Sequence, residues 1–185
     1  MITSNKINST MNEKIPLNTV AKIYFSKRQE LKTFIKQINS HILNNSRSFF
    51  LALYYMDLIF INDNLETIFF SHFSPYDYQY GYSSKKELPM RFYYLMSLSC
   101  LIVASKFYEN DPHVPNLSTF IAISDYYSKE KQYFDLEEVN AGEVITLKVL
   151  NYQLKYYSLY HYVLFFFAHG LFFQYKIKKS TFSAK

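Results

Sequence analysis

The stretch from Arg91 to Glu109, RFYYLMSLSCLIVASKFYE, constrains the fold more than any other. Leu95, Ser99, Ile102, Val103 and Lys106 recur at three- and four-residue spacing and so share one side of a helix, yet the remaining positions are largely apolar as well. A helix that is apolar nearly all round is buried on more than one face, which predicts that other helices surround it. The lysine that closes the stripe cannot be buried alone: it must snorkel to water or meet an acceptor.

A chain of 185 residues can bury a true core in one domain, with or without tails. Apolar residues make up 49% of it, and three glycines with five prolines leave little material for loops, so a helical body is expected. The abundance of tyrosine and phenylalanine, alongside frequent Asn, Lys and Ile, reads as background usage with no bearing on site chemistry. A formal charge of +5 permits attraction to nucleic acid or an acidic partner, but the lysines are scattered except for Lys176, Lys178 and Lys179, which favours an ordinary solvated surface. Cys100 is the single cysteine and lies within the apolar helix, so neither an internal disulfide nor a cysteine metal cage is expected. The first residues lack the apolar run of a signal peptide, and Tyr162 to Tyr175 is too short to cross a bilayer. The expectation is a soluble chain in the cytoplasm or nucleus, without a membrane partner.

In chain order, residues 1–24 are polar and aperiodic and are expected to form a flexible tail. From Ser26, the residues Leu31, Phe34, Ile35, Ile38 and Ile42 follow the helical period until Asn44 and Asn45. Arg47 to Asn62 predicts a second helix, with Phe49, Leu53, Met56 and Phe60 on one stripe and Asp57 beside it. The aromatic stretch 65–88 is expected to be a long insertion, low in complexity, with the alternating Tyr76, Tyr78, Tyr80 and Tyr82 as a candidate short strand. After the central helix, Leu117 to Tyr127 predicts a fourth helix capped by Asn116 or Ser118, and 134–151 a fifth. On that fifth helix, Leu136, Val139, Glu143, Leu147 and Leu150 are spaced three and four apart, so Glu143 puts a carboxylate into an apolar stripe. Residues 158–175 predict one further aromatic helix before a basic end.

Catalytic chemistry finds no residues to stand on. His41, His72, His113, His161 and His169 are dispersed, and no HExxH, GxSxG, GxGxxG or phosphate loop occurs. Asp135, Glu137 and Glu138 fall at the start of the fifth helix, where the macrodipole favours acids, so their structural reading outweighs an acid/base one. No enzyme activity, small-molecule substrate, cofactor or metal is expected.

Two charges remain in unexpected places, Lys106 and Glu143. Around the first, CLIVASKFYE resembles the third helix of a cyclin box; around the second, GEVITLKVLNYQL resembles the fifth. LALYYMDLIF is similar to the family's second helix, and RQELKTFIKQI has the apolar spacing of its first. The resemblance covers about Ser26 to Asn151 and rests on four matching helices in order. It implies an all-α cyclin box spanning 25–156, five helices around a central third, with the insertion at about 65–88 and an extra C-terminal helix and basic tail in 157–185.

The resemblance also implies a partner, a cyclin-dependent protein kinase catalytic subunit. In cyclins, the matching lysine and glutamate together hold the kinase αC-helix region in its active position, which assigns kinase binding to Lys106 and Glu143 and extends it to Phe107 and Tyr108. Arg28 and Asp57 match the family's structural ion pair between its first two helices. The structural alternative is that Lys106 stabilises a helix C-terminus and Glu143 pairs internally with Lys106 or Lys148.

The chain departs from the pattern at Leu58, where an arginine usually follows the aspartate. It departs again at Lys27, Gln29 and Glu30, where cell-cycle cyclins carry an apolar docking groove for substrates. A full second box does not fit after Asn151, which is more like the divergent single-box cyclins of the phosphate-regulation and cyclin Y type. Other readings are a cyclin-fold protein of the transcription-factor kind, acting on nucleic acid or a transcription complex, and a non-activating scaffold; no basic helix with base-reaching residues favours nucleic acid. Ser74 before Pro75 is the minimal target of proline-directed kinases and a candidate phosphosite.

Overall fold

The computed structural model describes residues 18–73, 89–108, 114–128 and 134–154. Contacts along the chain separate two units, Met1–Tyr152 and Gln153–Lys185, and every helix below belongs to the first. In order these are α1 (Thr19–Ile42), α2 (Ser46–Ile61), α3 (Leu65–His72), α4 (Met90–Tyr108), α5 (Leu117–Tyr127) and α6 (Leu136–Val149). The described residues are all-helical, with no strand among them. Nor is any helix among them long and apolar enough to cross a membrane.

α4 is the centre. Every residue from Phe92 to Ser105 is buried, and α1, α2, α5 and α6 all pack against it. Its serines survive burial because each returns its hydroxyl to the helix's own carbonyls: Ser97 to Tyr93, Ser99 to Leu95 and Ser105 to Ile102, at 2.7–2.9 Å. Cys100 is buried there as a free thiol, and burial pushes its pKa up, away from thiolate reactivity.

Local sequence sets where the surrounding helices begin. The Asn18 side chain accepts the Ala21 amide at 2.7 Å, and the Asn45 side chain accepts that of Arg47 at 2.8 Å. Asn44, between α1 and α2, takes a left-handed φ of 48°, which asparagine tolerates better than most residues. At α6, Asp135 and Glu138 form a reciprocal capping box.

Aromatic side chains join the layers. Tyr24 of α1 stacks on Phe60 of α2 at 4.4 Å, and Phe60 stacks on Tyr93 of α4 at 5.5 Å. Phe92 of α4 meets Phe69 of α3 edge-on at 4.7 Å. Each such pair adds about 1 kcal/mol beyond the area it buries.

Three expectations need correcting. α1 begins at Thr19, inside the segment 1–24 expected to be a tail and ahead of Ser26, because Asn18 caps it and Val20, Ala21 and Tyr24 reach the core. The stretch 65–88 opens with α3, where Leu65 and Phe69 are buried one helical turn apart, rather than being insertion throughout. α6 starts at Leu136 instead of residue 134, since Asp135 is its cap. The expected strand at Tyr76–Tyr82 and the C-terminal helix at 158–175 lie outside the described residues.

α6 lies tight against α4 at Gly142, where an added Cβ would press on Ser99 Oγ and come within 3.5 Å of Leu95 Cδ1. Gly142→Ala therefore sets an overpacking cost of about 1–3 kcal/mol against a helix-propensity gain of about 1 kcal/mol. A net loss of about 1 kcal/mol is expected in urea denaturation. In a Ser99→Ala background, which removes the obstructing oxygen, the same substitution becomes neutral or stabilising.

Candidate functional site

Burial on α4 stops at Ser105, and the next side chain is Lys106. Its Nζ lies 2.7 Å from Glu143 Oε1 and donates to Oε2 at 2.9 Å, so the ammonium spans both carboxylate oxygens. The lysine side chain is 47% exposed, whereas that of Glu143 is 11% exposed. The geometry follows from the packing: Gly142 lets α6 approach α4, Glu143 follows it directly, and Lys106 lies two turns beyond Ser99. Lys106 also stands in the last turn of α4, where a cation suits the helix dipole. A pair with one partner half in water contributes only about 0–1 kcal/mol to stability. Its ammonium remains accessible to another molecule.

Phe107 and Tyr108 continue α4 beyond the pair, ring edge against ring face at 5.3 Å. Phe107 is 40% exposed and Val144, the residue after Glu143, equally so. The charged pair thus has apolar surface beside it on both helices. Lys148, the other candidate partner for Glu143, instead reaches His72 Nε2 of α3 at 3.0 Å.

The structure also brings Arg28 and Asp57 together. Arg28 donates from Nε to Oδ1 and from Nη2 to Oδ2, both at 2.7 Å, and the Tyr24 hydroxyl donates to Oδ1 at 2.6 Å. Burial alone would raise the Asp57 carboxyl; the Arg28 and Tyr24 hydrogen bonds and the Arg28 charge together outweigh it and hold the pKa below the ordinary carboxylate value. Burial and the neighbouring Asp57 carboxylate push the Tyr24 phenol upward, so it stays a donor.

Sequence reasoning did not find the pair at the other end of α4. Arg91 donates through Nε at 3.2 Å and through Nη2 to the two carboxylate oxygens of Glu138, which is fully buried, and its guanidinium lies 5.0 Å from the centre of the Phe134 ring. The available signal was the wrong sign of charge: an arginine in the first turn of a helix opposes the macrodipole unless it has an acid to meet. Glu138 also serves the capping box, and from sequence its place at a helix start, where the macrodipole favours acids, was enough to explain it.

Among the described residues, no group of three or more His, Cys, Asp or Glu side chains could hold a metal ion. His41 lies 3.3 Å from the Tyr127 hydroxyl. Ser74, His113, His161 and His169 lie outside the described residues.

This arrangement can offer a partner protein a charged pair with apolar flanks. The family model for the cyclin N-terminal domain matches residues 76–155. The match takes in α4, α5 and α6, and with them Lys106, Phe107, Tyr108 and Glu143; it begins after α1, α2 and α3, so the Arg28–Asp57 pair stands outside it. No curated protein and no solved structure gives a significant match. The all-helical arrangement about α4 agrees with a cyclin box.

Two substitutions test the ion pairs. Arg91→Ala strands the buried Glu138 carboxylate and is expected to cost about 3 kcal/mol in chemical denaturation. Asp57→Asn loses the charge-assisted bonds and is expected to cost about 2 kcal/mol at pH 7. Because the folded pKa of Asp57 is depressed, its contribution is present above the unfolded value of about 4 and is lost as pH falls through the folded value. The gap between wild type and Asp57→Asn should therefore narrow as denaturation is repeated from pH 5 down to pH 3.

Proposed function

We propose that this chain is a divergent cyclin, a regulatory subunit that binds a cyclin-dependent protein kinase and activates it by clamping the kinase αC-helix region. The observation that carries the reading is the Lys106–Glu143 pair, held at the edge of the core within the stretch matched by the cyclin N-terminal domain. Only part of the pair's hydrogen-bonding capacity is used internally. An ammonium has three donors and a carboxylate about four acceptor sites, so a ready-made pair can still bind backbone or side-chain groups of another protein. Phe107 and Tyr108 extend the contact, as aromatics beside a charged anchor do at interface hot spots.

On this reading the chain does no chemistry. It supplies order to a kinase whose αC glutamate must meet its strand lysine before phosphoryl transfer can run. The divergent single-box type, action in the cytoplasm or nucleus, and regulation through Ser74 belong to the same proposal. Arg28 and Asp57 act in it as the internal brace between α1 and α2.

The test is co-purification and a kinase assay with a cyclin-dependent kinase catalytic subunit. The wild-type chain should bind and raise kinase activity, and Lys106→Ala with Glu143→Ala should weaken binding by about tenfold or more while leaving the melting temperature nearly unchanged. Binding without activation would make the chain a scaffold. Salt-sensitive DNA binding that survives both substitutions, with no kinase bound, would sink the kinase reading in favour of a nucleic-acid role.

A further inference from the structure

The outer face of α1 and α2 carries apolar side chains that the core does not use. Phe50 is 63% exposed, Ile61 46% and Tyr54 41%, and on α1 Phe25 is 44% exposed. Residues 50, 54 and 61 fall within a narrow sector of α2, spanning three turns or roughly 16 Å. Asp57 lies in the same sector and is tied across to Arg28. That tie, with Tyr24 on Phe60 and Asn18 bonded to Asp63, fixes α1 and α2 as antiparallel neighbours. By the helical period, Phe25, Lys32 and Lys36 share one sector of α1, adjacent to the Arg28 that reaches Asp57.

Charge gives the face its sign. α1 and α2 together contain the acids Glu30 and Asp57 against Lys22, Lys27, Arg28, Lys32, Lys36 and Arg47. Asp57 is neutralised by Arg28, and Glu30 pairs with Lys27 and accepts from Tyr94 of α4, on the far side of α1. Lys22, Lys32 and Lys36 give α1 a basic side next to the apolar stripe. A second copy would bring basic surface against basic surface.

We infer that the outer face of α1 and α2 docks an acidic amphipathic segment of a partner protein, seating that segment's apolar residues along Phe50, Tyr54 and Ile61 and its carboxylates against Lys32 and Lys36. The stripe is straight and three turns long, the length over which an amphipathic helix presents anchors at i, i+3, i+4 and i+7. The surface is independent of the proposed kinase contact, since none of its residues belongs to α4 or α6.

The experiment is fluorescence anisotropy of the full chain with a labelled synthetic peptide bearing Leu and Phe at i, i+3, i+4 and i+7 and glutamate elsewhere. A counterpart with lysine in place of glutamate serves as control. The acidic peptide should bind, more weakly as salt rises, and the basic one should not. Phe50→Ser with Ile61→Ser, and separately Lys32→Glu with Lys36→Glu, should each weaken binding about tenfold without lowering the melting temperature. Absence of binding by the acidic peptide, equal binding of the two peptides, or unchanged affinity in both variants overturns the inference. So does sedimentation showing self-association, or capture by phosphatidylserine vesicles, if Phe50→Ser with Ile61→Ser abolishes it.

Discussion

Enclosing α4 on all sides is the constraint from which the other features follow. From Phe92 to Ser105 the helix has no face on water, so its polar groups must be satisfied within the protein and its charges must sit at its two ends. The serines meet the first demand by folding their hydroxyls back onto the helix. Arg91 and Lys106 meet the second, and both find their acids on α6. One helix thus holds both ends of another, through Glu138 at the start and Glu143 at the close.

The two ties are not equivalent. Glu138 is fully buried, so its loss of a partner falls on stability. Lys106 is half in water, and its net worth to the fold is small. A charge kept at the edge of a core at little energetic benefit is a reasonable candidate for contact with another molecule. The same contrast separates Arg28–Asp57, braced by the buried Tyr24, from the surface around it. Pairs that the interior needs are hydrogen-bonded from several sides; the pair at the close of α4 is bonded from one.

Much of the helical plan was legible because periodicity survives in the apolar stripes of α1, α2, α4, α5 and α6. The start of α1 was obscured by polar composition: Val20, Ala21 and Tyr24 are too few to register as a stripe, and Asn18 looked like one more polar residue rather than a cap. α3 was hidden by its surroundings, since Leu65 and Phe69 open an aromatic tract whose later part carries turn residues. Lys106 and Glu143 stood out because each breaks an apolar pattern. Arg91 breaks none, lying at a helix start where polar residues are common, and only its opposition to the helix dipole marked it. The aromatic excess, read as background usage, proved to be the material of the core from Tyr24 through Phe60 to Phe92 and Phe69.

The burial of α4 also bears on motion. An element with core on every side cannot tilt or slide without opening the whole domain, so its backbone amides belong among those that exchange with solvent most slowly. Lys106 is attached to the last turn of that element. The ammonium is carried on a flexible stem, but the stem is rooted in the part of the molecule that yields last, which fixes the depth and direction in which the charge is presented to solvent.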